Sequence, residues 1–289
     1  NKEVKFYGNN IFVNTGGVLH FSISGEFINR IGSVGRGPTE YQEVTDFTII
    51  QIGKESLIAV YSQTQQKTFL YDFNGKFIKS FPINFWPSNL NFYKKKLVFM
   101  NMFGSRNNTK NNVITLVSIS GEIEKNILYK GIEKNKDLSL KDFSRNYILN
   151  DTLHYWESDY DTIWQITKNF KAIPKYVINI GGNKMPIETQ IQSSIVDFKK
   201  YSKYDIISEI CETSKGLFFD INYKKRLNRI YYNKSTNESI NLKFKRPFRK
   251  GNHSAFYNDI DGGVPFWPMG RVSDDKVFMI VYGFEMKDY

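Results

Sequence analysis

The feature that most constrains the fold of this chain is a short segment that recurs along it. The segment alternates apolar and polar residues and contains a glycine turn, and it occurs at 19–28, 69–78 and 115–123. The turn glycines are residues 25, 75 and 121, which places them 50 and 46 residues apart. A fourth copy has Asn169 in the position of the glycine, and a fifth copy spans 228–240. A repeat of about 45 to 50 residues with four strands is typical of a β-propeller blade.

The repeats predict an all-β fold in a single domain over residues 1–289, a six-bladed β-propeller of four-stranded antiparallel blades. The predicted blades span approximately 1–35, 36–86, 87–131, 140–181, 203–246 and 256–289. The first and last units are incomplete and the sequence begins with Asn1, so we expect a mature form or a chain trimmed at both ends.

An insertion between blades 4 and 5 has a different period. Ile187, Ile191, Ile195 and Phe198 recur at helical spacing after Pro186, which favours the first turn of a helix. This pattern predicts a short helical insertion over about 186–200. The helix would pack on the rim of the propeller or bind a partner.

A loop rich in glycine and proline joins the first two blades and carries the first candidate ligand-binding residues. Its sequence is Gly35-Arg36-Gly37-Pro38-Thr39-Glu40-Tyr41. Arg36 can contact a carboxylate or a phosphate through two hydrogen bonds, with Glu40 and Tyr41 completing the site. Alternatively, the loop only makes a turn between blades, and Arg36 pairs with Glu40 or with backbone carbonyls.

Further candidates lie near the C-terminus and in the loops. Asp259 and Asp261 precede a Gly-Gly turn and resemble half of a calcium loop, although Ca²⁺ takes six to eight oxygen ligands and a tight turn is the alternative. Trp267, together with Trp86 and Trp156, would lie in loops at the mouth of the channel and hold a glycan, a peptide or a protein.

Catalytic motifs are absent from the sequence. It contains no Gly-x-Ser-x-Gly elbow, no His-Glu-x-x-His, no phosphate-binding glycine loop and no Cys-x-x-Cys. His20, His154 and His253 belong to different blades and would meet around a metal only in the central channel; hydrogen-bonded histidines in strands are the alternative. The single cysteine, Cys211, excludes an intrachain disulfide and is predicted to be a buried thiol.

Positive charge is concentrated between positions 224 and 250. This window holds ten basic residues and one acidic residue, and so contributes +9 of the formal net charge of +11. The predicted basic patch consists of Lys224, Lys225, Arg226, Arg229, Lys243, Lys245, Arg246, Arg249 and Lys250. The patch would attract an anionic partner such as an acidic polysaccharide. Alternatively, its lysines protect the solvent face of an outer strand from pairing with another chain.

Three stretches resemble the bacterial six-bladed β-propeller lipoprotein family, whose members are similar to NHL-repeat propellers. These stretches are 35–41, 71–78, and 258–263 with the following Phe266-Trp267-Pro268. The resemblance implies secretion to the periplasm or the cell surface and lipid anchoring through a cysteine near the N-terminus of the precursor. It implies no settled biochemical activity.

Two classes of function follow. The first is an extracytoplasmic binding or scaffold protein whose partner is an anionic polysaccharide, another glycan, a peptide or a cell-surface protein. The alternative is an NHL-like enzyme, a lyase or lactone hydrolase with Ca or Zn in the central channel. The missing catalytic motifs favour binding without a cofactor. No nucleic-acid-binding motif accompanies the basic charge, so we expect no nucleic-acid partner. No apolar run approaches the roughly 20 residues of a membrane span, so membrane contact would require the lipid anchor.

Overall fold

The structure is a computed structural model that describes residues 3–101, 112–128, 145–157, 161–181, 183–184, 186, 203–223, 226–242, 255–260 and 262–281. These residues form strands, turns and loops and contain no helix. Of the helical insertion predicted at 186–200, only Pro186 is described and it is not helical, so the predicted helix is not found in the described residues, and 187–200 lie outside them. The described residues on either side of the insertion pair with each other as extended backbone. An isolated parallel β-bridge joins Lys184 to Asp205, and the Asp205 amide donates to the Asn183 carbonyl at 2.9 Å.

Twenty strands form five sheets, and each sheet contains four consecutive antiparallel strands in chain order. Blade 1 contains β1 (Val4–Tyr7), β2 (Asn10–Asn14), β3 (Val18–Ser22) and β4 (Phe27–Ile31). Blade 2 contains β5 (Asp46–Ile52), β6 (Glu55–Ser62), β7 (Lys67–Asp72) and β8 (Phe77–Pro82). Blade 3 contains β9 (Pro87–Tyr93), β10 (Lys96–Asn101), β11 (Asn112–Val117) and β12 (Ile123–Leu128). Blade 4 contains β13 (Arg145–Leu149), β14 (Thr152–Trp156), β15 (Thr162–Ile166) and β16 (Ala172–Val177). Blade 5 contains β17 (Ile206–Glu212), β18 (Gly216–Tyr223), β19 (Arg226–Asn233) and β20 (Glu238–Leu242).

The hydrophobic core lies between neighbouring blades. Four buried clusters join blades 1 and 2, 2 and 3, 3 and 4, and 4 and 5 in turn. The middle strands β10 and β11 are buried along nearly their whole length because a blade is covered on both faces. This burial explains their continuous apolar sequences, which are typical of fully buried strands. The first strand of each blade is innermost, since β9 contacts both β5 and β13 across the blade boundaries.

The number of blades corrects the sequence prediction of six. The described residues form five four-stranded blades, and the described C-terminal part adds a two-stranded ribbon of β21 (Gly270–Arg271) and β22 (Val277–Phe278) and one antiparallel bridge between Phe256 and Phe266. The segment that leads into this ribbon contains Pro265 and Pro268, which have no amide hydrogen to donate to a neighbouring strand. Among the described residues no ladder of four strands forms there, and the described part of the chain is a five-bladed β-propeller.

The C-terminal ribbon, β21 with β22, closes the ring between blades 5 and 1. Phe278 packs against Phe6 of β1 with ring centroids 5.2 Å apart. On the other side, the Ser214 amide of blade 5 donates to the carbonyl of Asp274 at 2.8 Å. The ribbon also reaches blade 4, where Arg271 donates to the carbonyl of Ile148 at 2.6 Å.

The glycine turns between the third and fourth strands have the conformation that the repeat requires. Gly25, Gly75 and Gly121 have φ values of 89°, 82° and 97°, in the left-handed region that favours glycine. In blade 4 this position is taken by Phe170, with φ of 57°, rather than by Asn169. The Phe170 amide donates to the Thr167 carbonyl, as the turn glycines donate to the residue three positions before them, so the predicted alignment of the fourth repeat is one residue early.

Candidate functional site

Among the three tryptophans predicted to bind a ligand, Trp86 alone is exposed. Trp86 retains 42% of its accessible surface, whereas Trp156 is fully buried and Trp267 is nearly so. Trp86 lies in the connection between β8 and β9, where its neighbours Phe85 and Pro87 are both buried. Since both neighbours are held in the core, the backbone at Trp86 is held in place and the indole lies at the surface.

Trp86 forms one side of a cleft at the end of blade 2. The cleft has a volume of about 470 Å³, which lies within the range of roughly 300–1,000 Å³ for small-molecule pockets. Its lining residues are Glu43, Gln63, Thr64, Gln66 and Trp86. Glu43 precedes β5, Trp86 follows β8, and the other three belong to the β6–β7 turn. These segments meet because alternate connections of an antiparallel sheet leave from the same end.

Hydrogen bonds hold the polar side of this cleft in place. The Oε1 atom of Glu43 accepts from both the backbone amide and the hydroxyl of Thr64, each at 2.6 Å. The Gln63 amide donates to the Thr45 hydroxyl at 2.9 Å. Gln66 closes the turn with φ of 50°, and its amide donates to the Gln63 carbonyl at 3.1 Å. The geometry of the turn therefore does not depend on a ligand.

Several polar groups of the cleft are not used by the fold. The side-chain amides of Gln63 and Gln66 and the indole N–H of Trp86 have no hydrogen-bond partner among the described residues. The Oε2 atom of Glu43 is also without a described partner. The described lining thus offers an aromatic face, two amides and a carboxylate oxygen, and it contains one acidic and no basic side chain.

The glycine- and proline-rich loop at 35–41 lies beside this cleft, and its Glu40 is used by the loop itself. Glu40 accepts from the Gly37 amide at 2.9 Å and from the Ser33 hydroxyl at 3.2 Å. Gln65 of the β6–β7 turn donates to the Glu40 carbonyl at 3.1 Å. Arg36 makes no hydrogen bond or ion pair with another described residue. The structure therefore does not show the pairing of Arg36 with Glu40 that the alternative predicted, and the role of Arg36 in ligand binding stays a prediction.

Tyr41 and Trp267 are both buried structural residues in this fold. The Tyr41 hydroxyl donates to the Ile31 carbonyl at 2.7 Å, which ties the loop to the end of blade 1. Burial raises the pKa of Tyr41 above its usual value. Trp267 packs edge-on against Phe218 of blade 5 with ring centroids 5.7 Å apart. Neither ring is available to a ligand without rearrangement.

The predicted calcium and metal ligands do not assemble in the described part of the chain. Asp259 is exposed, and Asp261 lies outside the described residues. His20 bonds through both ring nitrogens to Asn10 and Asn29, at 2.7 and 2.9 Å, while His253 also lies outside the description. No group of three or more potential metal ligands occurs in the region that the structure covers.

Most of the predicted basic patch lies outside the described residues. Lys224, Lys225 and the side chain of Arg226 are in this group, as are Lys243, Lys245, Arg246, Arg249 and Lys250. Arg229 is described, and it pairs with Asp220 at 3.5 Å and lies 5.2 Å from the centre of the Trp267 ring.

A second polar cluster, not foreseen from the sequence, lies between blades 4 and 5. Its centre is the fully buried carboxylate of Glu212, which accepts from Lys234 at 2.7 Å and from the Tyr147 hydroxyl at 2.6 Å. Lys175 lies 3.3 Å from the same carboxylate and 3.0 Å from the Nε2 atom of His154. These residues come from strands of both blades or from the turns that follow them, so the cluster joins the blades.

The charges in this cluster shift the pKa values of its members. Burial would raise the pKa of Glu212, but the hydrogen bonds from Lys234 and Tyr147 and the lysine charges outweigh it and hold that pKa below its usual value. Burial lowers the pKa of His154 to about 4, with Lys175 and Lys234 acting in the same direction and Glu212 opposing them. Burial, reinforced by Glu212, raises the pKa of Tyr147. The cluster is thus a buried ion pair network with a neutral histidine at neutral pH.

The whole sequence, residues 1–289, matches the model of a family described as a domain of unknown function, DUF4934. The chain belongs to this family. No curated protein matches the DUF4934 chain.

Solved structures share the fold of the DUF4934 chain. A candidate exported protein from Bacteroides fragilis has a TM-score of 0.68 at 17% sequence identity, over 83% of this chain and 70% of that one. A member of the DUF4221 family from Bacteroides vulgatus has a TM-score of 0.59 at 12% identity, over 83% and 80% of the two chains. Identities this low show a shared propeller architecture and leave function to the site.

The sequence of the DUF4934 chain contains one signal for the cleft that the prediction did not use. The run Gln63-Thr64-Gln65-Gln66 separates two apolar strands and contains neither glycine nor proline. Such a turn is uncommon because glycine, proline, asparagine and aspartate are the usual turn residues. Glu43 has no comparable signal, since its position beside Thr64 depends on the pairing of β5 with β6.

Proposed function

We propose that this chain is an extracytoplasmic binding protein that holds its ligand in the cleft at Trp86. The observation that carries the proposal is the exposed indole surrounded by hydrogen-bonding groups that the fold leaves unused. Clefts that combine an apolar surface with a few oriented polar groups are the usual form of small-ligand sites. A binding function requires no catalytic group among these residues.

The proposed location is the periplasm or the cell surface, with lipid anchoring as in the NHL-like lipoproteins. The similarity to a candidate exported protein supports secretion. The resemblance of the 35–41 loop to that lipoprotein family supports the anchor. Among the described residues, no helix has the length and the hydropathy to span a membrane.

A second contact, between the basic patch and an anionic polysaccharide or a cell-surface protein, stays a separate prediction. It depends on residues 224–250, whose side chains are mostly outside the described part of the chain.

The proposal can be tested by probing an array of neutral glycans, acidic glycans and peptides with the full chain. The test variant is Trp86→Ala, and the matched control is Tyr257→Ala, which removes another exposed aromatic side chain far along the sequence. We expect the wild type and Tyr257→Ala to bind the same probe and Trp86→Ala to lose it. Equal binding by all three proteins, or no binding by any of them, would contradict the proposal.

A further inference from the structure

We infer that the ligand of the Trp86 cleft is an uncharged sugar chain, an inference that rests on the proposed function. The first argument is the indole itself. The face of an aromatic ring carries partial negative charge, and it attracts the weakly positive C–H groups on the flat side of a pyranose ring. Trp86 presents such a surface at 42% exposure, and its buried neighbours Phe85 and Pro87 hold the backbone at this position.

The second argument is the match between the free polar groups and sugar hydroxyls. Each hydroxyl both donates and accepts a hydrogen bond, and the amides of Gln63 and Gln66 each present a donor and an acceptor. The free Oε2 atom of Glu43 adds an acceptor. Thr64 donates to the Oε1 atom of the same carboxylate, and this holds the carboxylate in one orientation. An apolar ligand would bury these groups without partners, at a cost of about 1–3 kcal/mol for each group.

The third argument is the charge of the cleft, which selects against acidic glycans. Glu43 is the one ionisable group among the described lining residues, and its side chain is acidic. A uronate or sulfate group would therefore meet no basic side chain of that lining. Although the chain as a whole carries a formal charge of +11, the cleft would therefore take a neutral glycan and not the acidic polysaccharide suggested by the basic patch.

The test uses the full chain with two sets of probes, in calorimetric titrations. The neutral probes are hexaoses of glucose, mannose and xylose, and the acidic probes are oligogalacturonate and heparin fragments. The variants are Trp86→Ala, Glu43→Gln and the control Tyr257→Ala. Glu43→Gln removes the charge but keeps an oxygen that can accept from Thr64, so the turn is preserved.

We expect a neutral hexaose to bind the wild type and Tyr257→Ala equally, and Trp86→Ala to bind it at least tenfold more weakly. Raising the salt concentration from 50 to 500 mM should change this affinity less than twofold, because no ion pair forms. Glu43→Gln should bind the same hexaose two- to tenfold more weakly, since an amide oxygen is a weaker acceptor than a carboxylate.

Three results would overturn parts of the argument separately. Trp86-dependent binding of the acidic probes alone, strengthened in Glu43→Gln and weakened by salt, would refute the uncharged sugar while supporting the cleft as the binding site. Binding that is unaffected by Trp86→Ala would refute both the sugar and the proposed function. No binding of any of these probes would refute the sugar alone, because the peptides of the array test the cleft separately.

Discussion

Gly75 shows how much a single residue can determine in this propeller. It lies in the turn between β7 and β8 with φ of 82°, and a Cβ atom at this position would collide with the backbone carbonyl of Arg30 in blade 1. Gly25, at the equivalent turn of blade 1, has φ of 89° but has open space around the position of a Cβ atom. The same residue type in the same turn thus meets two different constraints.

We expect Gly75→Ala to destabilise the protein far more than Gly25→Ala. Both substitutions place alanine in the left-handed region, which costs about 1–2 kcal/mol. Gly75→Ala must also separate blade 2 from blade 1, and overpacking of this kind adds roughly 1–3 kcal/mol. Urea denaturation of the two variants measures the difference. Equal losses of unfolding free energy would show that the approach to Arg30 does not matter.

At the scale of the elements, side chains connect the inner strands of three blades. Asp46 at the start of β5 accepts from the Leu90 amide at 2.6 Å and from the Asn89 side chain at 2.8 Å, both in β9. Lys5 of β1 contacts the same carboxylate at 3.3 Å and donates to the Leu90 carbonyl at 3.2 Å. Although burial opposes its charge, the carboxylates of Asp46 and Glu3 outweigh that effect and raise the pKa of Lys5. A charged network therefore aligns β1, β5 and β9.

Removing the carboxylate at the centre of this network should be costly. We expect Asp46→Ala to lower the unfolding free energy by about 3–5 kcal/mol, because it leaves Lys5 without its main buried partner. The control is Asp72→Ala, where the lost carboxylate is half-buried and accepts from the Asn74 and Lys76 amides within one turn. That variant should lose only about 1 kcal/mol. If chemical denaturation finds the two losses alike, the network does not stabilise the inner strands.

At the scale of the whole molecule, the cluster around Glu212 makes stability depend on pH. His154 has a pKa of about 4 in the folded chain against an ordinary value of 6.5. Between these values the unfolded chain binds a proton that the folded chain excludes, so the stability contributed above pH 6.5 is lost as the pH falls towards 4. Glu212 acts in the same direction at lower pH, because its pKa is also below the ordinary value.

We expect the unfolding free energy to fall by roughly 3 kcal/mol from pH 6.5 to pH 4 through His154 alone. His154→Gln should remove this contribution and flatten the profile in that window. Thermal or urea unfolding at several pH values provides the profile, and an unchanged slope in His154→Gln would contradict the assignment.

Local patterns were sufficient to predict the architecture of a blade. In blade 2, for example, the strand Lys67–Asp72 and the glycine turn that follows it depend on residues close in sequence, and both are confirmed. The number of blades could not be read in the same way, and the prediction of six is wrong. Residues Phe266 to Val281 alternate between apolar and polar side chains well enough to suggest strands. Formation of a ladder, however, depends on which backbone amides can donate, and Pro265 and Pro268 have no amide hydrogen.

The candidate site was only partly accessible to sequence reasoning. Trp86 could be named because an isolated tryptophan beside a proline outside a strand is visible in the sequence. Its selection over Trp156 and Trp267 required burial, which is decided by contacts between distant blades. Likewise, Glu212 and Lys175 are 37 positions apart in sequence, and only the packing of blade 5 on blade 4 brings them together.

The C-terminal ribbon has a consequence for how the ring comes apart. Among the described residues, neighbouring blades elsewhere share broad apolar interfaces, whereas blades 5 and 1 are joined through strands of two residues and a few aromatic and hydrogen-bonded contacts. Local opening should therefore start at this junction, where the least structure has to be lost. In deuterated water, the backbone amides of β1 and β17 should then exchange before those of β5 and β9. Such an order would mean that the ring opens between blades 5 and 1 and then behaves as a linear array of blades with two ends.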